Sequence, residues 1–164
     1  MLESLLNIDE SLFQFINQSM SSSFLDSVMV PIRHPLFWIP LYLFLVLFIS
    51  MNFVKRKWLI FAAIACTILL SDTTSSKIIK ESFQRTRPCH IEYLEPISLV
   101  PCGHGYSFTS SHACNHFAIG TFFFLLFTFT KWRFGFLVWA GLISIAQVYV
   151  GQHYPLDIIF GAIV

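Results

Sequence analysis

The chain has 164 residues, of which 55% are hydrophobic, 12% are charged and 19 are phenylalanine. Soluble domains carry about 25% charged residues, so this composition excludes an ordinary water-soluble fold and indicates a membrane protein. A formal net charge of +1 argues against nucleic acid as a partner, and the length fits a single domain over 1–164.

Met1 to Glu10 contains acids and no basic stretch, so no secretory signal is expected there. Leu5, Ile8, Leu12, Phe15 and Ile16, then Phe24, Leu25 and Val28, recur at helical spacing with polar residues between them. That pattern predicts an N-terminal helix that lies in the membrane interface, or against the bundle, rather than crossing. Leu36 to Val54 is apolar for about 19 residues, the length of a membrane span. Trp58 to Ser76 predicts a second span, ending in the polar string SDTTSS. Ala113 to Thr130 and Phe134 to Val150 predict a third and a fourth. Pro155 to Val164 opens a fifth apolar run too short to cross, which reads as a helix cut off at 164. The expected fold class is an all-α polytopic transmembrane bundle with an N-terminal interfacial helix.

Lys55–Lys57 and the Lys131–Arg133 turn are the short basic connections, and cytoplasmic loops carry the excess of Lys and Arg. They stand two spans apart, so one orientation satisfies both. It places the Lys77–His112 passage and the Gly151–Pro155 turn together on the outer face.

Those two passages hold the chemistry. The first carries Lys77, Lys80, Arg85, Arg87, His90, His104 and His112, and the second carries His153. Cations spaced along a helix and then a loop suit a phosphate, which Arg grips with a planar fork and Lys meets as a point charge. Thr109, Ser110 and Ser111 precede a new helix, whose start offers free N–H groups to an anion. His153 and Asp157 are four apart at another helix start, with Pro155 in a first-turn position. A carboxylate holding one ring nitrogen leaves the other free as nucleophile or base.

With these residues in place, the chain resembles the type 2 phosphatidic acid phosphatase (PAP2) superfamily, which shares its fold with vanadium haloperoxidases. The family motifs are K-x6-R-P, P-S-G-H and S-R-x5-H-x3-D. The first is intact here as Lys80, Arg87 and Pro88. The second appears as Thr109-Ser110-Ser111-His112, without the Pro and Gly, and the third as Ala146-Gln147 followed by His153 and Asp157. The resemblance covers about Trp58 to Val164. It implies that His153 attacks phosphorus to form a phosphohistidine, that Asp157 orients it, and that His112 protonates the leaving oxygen. It implies phosphate binding by Lys80, Arg87, Ser110 and the Ser111 backbone, with no cofactor and no metal. Gln147 stands where the family has Arg and offers a hydrogen bond without charge. Arg85 is then either a compensating cation or a solvated loop residue.

Cys89 and Cys102 both fall in the outer passage. A disulfide between them would tie the first motif to the second and requires an oxidising compartment. With His90 and His104 the same cysteines also read as a zinc site. His116, four beyond His112, is a candidate for supporting it.

The expected function is hydrolysis of a lipid phosphate monoester or diphosphate. Undecaprenyl diphosphate, lipid A, phosphatidylglycerol phosphate and phosphatidate all remain open. The expected place is a bacterial inner membrane, with the site on the periplasmic face and membrane lipids as partners. The alternative, motivated by Gln147, is a family member that binds lipid phosphate without turnover. Oligomeric state is not legible.

Overall fold

Each long apolar run forms a helix, because in lipid only intrahelical bonding satisfies a lone segment's backbone N–H and C=O groups. The computed structural model describes residues 2–164. Its helices are α1 (Leu2–Gln14), α2 (Ser23–Ile32), α3 (Ile39–Asn52), α4 (Lys57–Asp72), α5 (Lys80–Phe83), α6 (Ser111–Leu126), α7 (Phe134–Tyr149) and α8 (Pro155–Ile163). A 3₁₀ turn at Pro35–Trp38 prolongs α3 into an 18-residue helix of mean hydropathy 1.8. A π-helical stretch, Thr73–Ile79, joins α4 to α5 as one 27-residue helix whose most apolar 18-residue stretch has a mean hydropathy of 1.5. Both are long and apolar enough to cross a membrane.

The second span was expected to stop near Ser76, yet the helix continues to Phe83. The polar string does not break it because its side chains are satisfied locally. Ser76 donates to Asp72 Oδ1 at 3.2 Å, and Ser71 donates to Asn115 of α6 at 2.7 Å. Asn115 in turn donates to Asp72 Oδ1. The consequence for the site is that Lys80 rides on a membrane-spanning helix rather than on a loop.

The apolar stripe foreseen in α1 faces outward: Leu5, Ile8, Leu12 and, just beyond the helix, Phe15 are exposed. The bundle side of this segment is Asp9, Phe13 and Asn17, all buried at helical spacing. This is the pattern of a helix whose greasy face meets lipid and whose few polar groups are spent on specific partners.

α6 is the central helix and packs on α4, α7 and α8. Two glycines permit the close approach. A Cβ at Gly120 would lie 2.8 Å from the Phe136 carbonyl of α7, and one at Gly161 would lie 2.8 Å from the Ser110 carbonyl at the start of α6. Leu45, Ile49, Ile60, Phe123 and Phe127 form an apolar core between α3, α4 and α6. A second cluster, Phe13, Leu94, Val148 and Tyr154, underlies the long 84–110 loop. Asn17 clamps that loop: its amide donates to the carbonyls of Ile97 and Tyr149 at 2.9 and 2.7 Å, and its oxygen accepts from Ile97 N–H.

The α6–α8 contact is directly testable. Gly161→Val is expected to lower the midpoint of thermal unfolding in detergent, at an overpacking cost of about 1–3 kcal/mol. Gly135→Ala, where an added Cβ meets nothing within 4 Å, is the control. An unchanged midpoint for Gly161→Val contradicts the tight packing.

Candidate functional site

The start of α8 fixes the site. Tyr154 is the N-cap, Pro155 begins the helix, and Asp157 at the third position turns back to accept the Tyr154 N–H at 2.9 Å. The Asp157 carboxylate is fully buried. Its Oδ2 also accepts from the Ser107 hydroxyl and faces His153 Nδ1 at 3.4 Å, and its Oδ1 accepts from Arg85 Nη1 at 2.9 Å. A buried carboxylate with this many donors stays ionised and rigid.

His153 is buried, and its Nε2 lies 3.2 Å from Arg87 Nη1. A guanidinium only donates, so Nε2 carries the lone pair and Nδ1 carries the proton that faces Asp157. Burial lowers the imidazole pKa to about 4, against the opposing pull of the Asp157 carboxylate. The ring is therefore neutral near pH 7, with its free nitrogen turned toward the cation that would hold a substrate anion.

Arg87 is buried and held between the long loop and the Gly151–Tyr154 turn. Its Nε donates to the Gly105 carbonyl at 3.3 Å and its Nη1 to the Gln152 carbonyl at 3.1 Å. Gln152 itself accepts from Gly103 N–H at 2.9 Å and donates to the Pro101 carbonyl. A Cβ at Gly103 would press on the site, 3.1 Å from Gln152 Oε1 and 3.3 Å from Arg87 Cζ. Lys80 lies within electrostatic reach of Arg87, Asp157 and Asp72.

Ser110 caps α6, its hydroxyl accepting from Ala113 N–H at 3.4 Å. Its own N–H donates to the Asp157 main-chain carbonyl at 3.0 Å, which bolts the start of α6 to α8. The Ser110 N–H thus serves the scaffold, while its hydroxyl, accepting from Ala113, keeps its own O–H to donate. The first-turn N–H groups of Ser111 and His112 lack intrahelical acceptors and remain for an anion. The Ser111 hydroxyl lies 2.8 Å from that of Ser76. His112 is within electrostatic reach of His153. His116 Nδ1 donates to the His112 carbonyl at 2.7 Å, and the two rings are stacked with centroids 6.3 Å apart. Trp139 presents an edge to His116 at 5.0 Å.

The structure brings His153, Asp157, Arg87, Lys80 and the α6 start to one place, and it commits Arg85 there to carboxylates, Asp9 and Asp157, rather than leaving it free for an anion. Neither alternative foreseen for Arg85 describes it. Its Nη2 pairs with Asp9 at 2.7 Å, its Nη1 with Asp157 at 2.9 Å, and its guanidinium lies 3.7 Å from the centroid of the Tyr154 ring. Burial works against its charge, but the two carboxylates outweigh it and raise the pKa. Arg85 is a strut between α1 and α8, with both arms of the fork occupied. Gln147 is buried, and its Nε2 has no hydrogen-bond partner among the described residues.

Ser107, Asp9 and Gln152 belong to this network and were not foreseen. Ser107 stands at the edge of the serine- and threonine-rich run that carries His112. Asp9 is an acid inside an otherwise amphipathic helix, the one available signal. Cys89 and Cys102 are joined as a disulfide with Cα atoms 6.0 Å apart, and His90 Nε2 lies 3.3 Å from the Cys102 sulfur. Cys89, His90 and Cys102 have metal-ligand proximity, but the disulfide consumes the thiolates that a zinc site needs. Below the site, an apolar cavity of about 350 Å³ opens between α3, α4 and α6, with Asn115 and His116 at its polar end and Ile49, Phe61 and Phe123 along its wall.

Residues 56–164 match the model of the PAP2 superfamily. A lipid A 4'-phosphatase of Bacteroides thetaiotaomicron is 34% identical over 172 residues, covering 100% of this chain and 75% of that protein. A lipid A 4'-phosphatase of Porphyromonas gingivalis is 27% identical, covering 98% of this chain and 69% of that one. Among solved structures, Aquifex aeolicus LpxE superposes with a TM-score of 0.68 at 25% identity, covering 93% of this chain and 87% of its own. The transmembrane PAP2-type phosphatidylglycerolphosphate phosphatase of Bacillus subtilis gives 0.64 at 25% identity, covering 97% and 79%.

The loop staple has a direct check. Peptide mapping without reductant is expected to yield a Cys89–Cys102 linked peptide, while Cys66 and Cys114 react with an alkylating agent after denaturation. Alkylated Cys89 and Cys102 in protein taken straight from the membrane, or bound zinc by elemental analysis, would contradict it.

Proposed function

The chain belongs to the PAP2 superfamily and is a membrane lipid phosphatase, and on that footing we propose that it removes the 4'-phosphate of lipid A through a phosphohistidine. Two lines support this reading. The similarity to lipid A 4'-phosphatases runs over essentially the whole chain, including the N-terminal segment that the family motifs do not cover. The single observation that carries the chemistry is His153, neutral, with Nδ1 facing Asp157 and Nε2 facing Arg87.

In the first step His153 Nε2 forms a bond to phosphorus as the bond from phosphorus to the sugar oxygen breaks. The leaving oxygen takes a proton from His112, which enters the step as the imidazolium, a form that the negative charge of the bound phosphate favours, and leaves it neutral. Asp157 holds the Nδ1 proton and stabilises the positive charge that the ring acquires. In the second step water attacks the phosphohistidine, gives its proton back to His112, and releases inorganic phosphate. Arg87, Lys80 and the free N–H groups of Ser111 and His112 hold the non-bridging oxygens. Fixed cations in a buried site stabilise the charge on the transferring group without reorganisation, the main term in phosphoryl transfer.

The site sits on the outer, periplasmic face of the inner membrane in this reading. The basic turns Lys55–Lys57 and Lys131–Arg133 set that orientation by their charge. The apolar cavity beneath His116 would take part of an acyl chain while the phosphate rests above it.

Phosphate release from a panel of lipid A, undecaprenyl diphosphate, phosphatidylglycerol phosphate and phosphatidate tests the assignment. Lipid A bearing the 4'-phosphate is expected to be turned over best, with activity retained in EDTA because Lys80 and Arg87 supply the positive charge. His153→Ala should fold and insert normally yet lose turnover by at least about 10³-fold. Preferred turnover of another lipid moves the substrate assignment, and near-normal activity of His153→Ala sinks the mechanism.

A further inference from the structure

The proposed site is one cation short of its family pattern. Gln147 stands where the motif has Arg, and its buried amide donates to nothing among the described residues. Arg85 cannot fill the gap, because Asp9 and Asp157 occupy its fork.

Another arginine stands close by, outside the 56–164 region that matches the family. Arg33 closes α2, its N–H bonded to the Met29 carbonyl at 3.3 Å. The preceding carbonyl, of Ile32, accepts from Trp38 Nε1 at 2.7 Å. Trp38 meets the edge of Trp139 at 5.8 Å, Trp139 meets His116 at 5.0 Å, and His116 is bonded to the His112 backbone and stacked on its ring. α2 also packs along α7, the helix of Gln147, and Tyr149 at the end of α7 donates to Asp26 of α2 at 2.6 Å. Arg33 is therefore anchored at the end of an aromatic chain that leads to His112, on a helix that lies against that of Gln147.

Its charge has no partner. Arg33 is half-buried, its Nε is buried without a hydrogen bond, and among the described residues it pairs with no carboxylate. It is within electrostatic reach of both Arg87 and His112. Burial lowers the Arg87 pKa, and the charge of Arg33 lowers it further. Two partly desolvated arginines within electrostatic reach of each other are unfavourable on their own and become favourable when an anion arrives between them. Asp157 is not that anion, since its oxygens already face four donors from Tyr154, Ser107, Arg85 and His153.

We propose that Arg33 is a third phosphate-binding cation of this site, delivered by the N-terminal segment, and that it supplies the charge Gln147 lacks. The proposal rests on the phosphatase reading above. It places a determinant of phosphate binding on α2, outside the three motifs, and makes the segment preceding the family region part of the active site.

The test uses the full chain in detergent, with lipid A phosphate release and inhibition by orthovanadate as readouts. Arg33→Gln is expected to lower kcat/KM on the order of 10- to 100-fold and to weaken vanadate inhibition in parallel, as loss of one charged oxyanion contact does. Arg33→Lys, which keeps the charge but not the fork, should lose less. Adding Gln147→Arg should recover activity in the Arg33→Gln background by more than it raises the wild type, a non-additive cycle. Unchanged kcat/KM and vanadate inhibition in Arg33→Gln, equal losses for Lys and Gln, or strict additivity would each overturn the proposal. If Arg33→Gln does not fold, Arg33→Met keeps the stem's packing and is read by the same criteria. His153→Ala in the same assay separates the two levels. Turnover surviving there overturns both readings, whereas lost turnover beside an unaffected Arg33→Gln overturns only the role of Arg33.

Discussion

The carboxylate of Asp157 is the constraint on which the rest of the site depends. Four residues on three chain segments face it as donors: Tyr154 and His153 at the start of α8, Ser107 at the end of the long loop, and Arg85 at the beginning of that loop. Its main-chain carbonyl takes the Ser110 N–H, so the α6 start is positioned by the same residue. A buried anion of this kind is costly unless every lone pair is used. Here the uses fix three separate segments, and the desolvation cost is converted into geometry. The imidazole tautomer, the Arg87 contact at Nε2 and the place of His112 all follow from where that carboxylate sits.

The N-terminal segment carries more of this arrangement than a membrane-interface helix would require. Asp9 pairs with Arg85 and also accepts the Leu156 N–H of α8 at 2.8 Å, so α1 braces α8. Asn17 and Gln18 hold the 84–110 loop through backbone carbonyls, and Tyr149 ties α2 to α7 through Asp26. The loop itself has little apolar core beyond Leu94, and the disulfide and these amide clamps take its place. A loop held at fixed points can keep Arg87 and His112 at the separation that phosphoryl transfer demands.

Much of this was legible in the sequence, and the reasons are physical. The first two spans were readable because apolar length is a direct requirement of the bilayer, while the apolar runs expected as a third and a fourth form α6 and α7, of 16 residues each. The His153–Asp157 pair was readable because four-residue spacing and a first-turn proline are local features. The errors fall where the deciding partner is distant. Arg85 looked like a loop cation because Asp9, its partner, lies 76 residues away. The second span was cut at SDTTSS because hydroxyls suggest a helix end, whereas here Asp72 and Asn115 satisfy them within the bundle. In α1 the periodic apolar residues were easy to see, but the face that meets the protein is the minority one, Asp9, Phe13 and Asn17. No local pattern announces that choice, because it is made by the elements that α1 packs against.

The most direct test of a covalent mechanism centred on His153 is to trap the intermediate. Acid is avoided in the quench, because phosphohistidine is acid-labile. Rapid denaturing quench of the enzyme during turnover of lipid A, followed by peptide mapping at alkaline pH, is expected to place a phosphoryl group on the peptide containing His153 and on its Nε2 nitrogen. The label should disappear on a chase with unlabelled substrate. A phosphoryl group found on His112, or no trapped label while a substrate with an isotopically chiral phosphate reacts with inversion at phosphorus, the mark of a single direct attack by water, would contradict it.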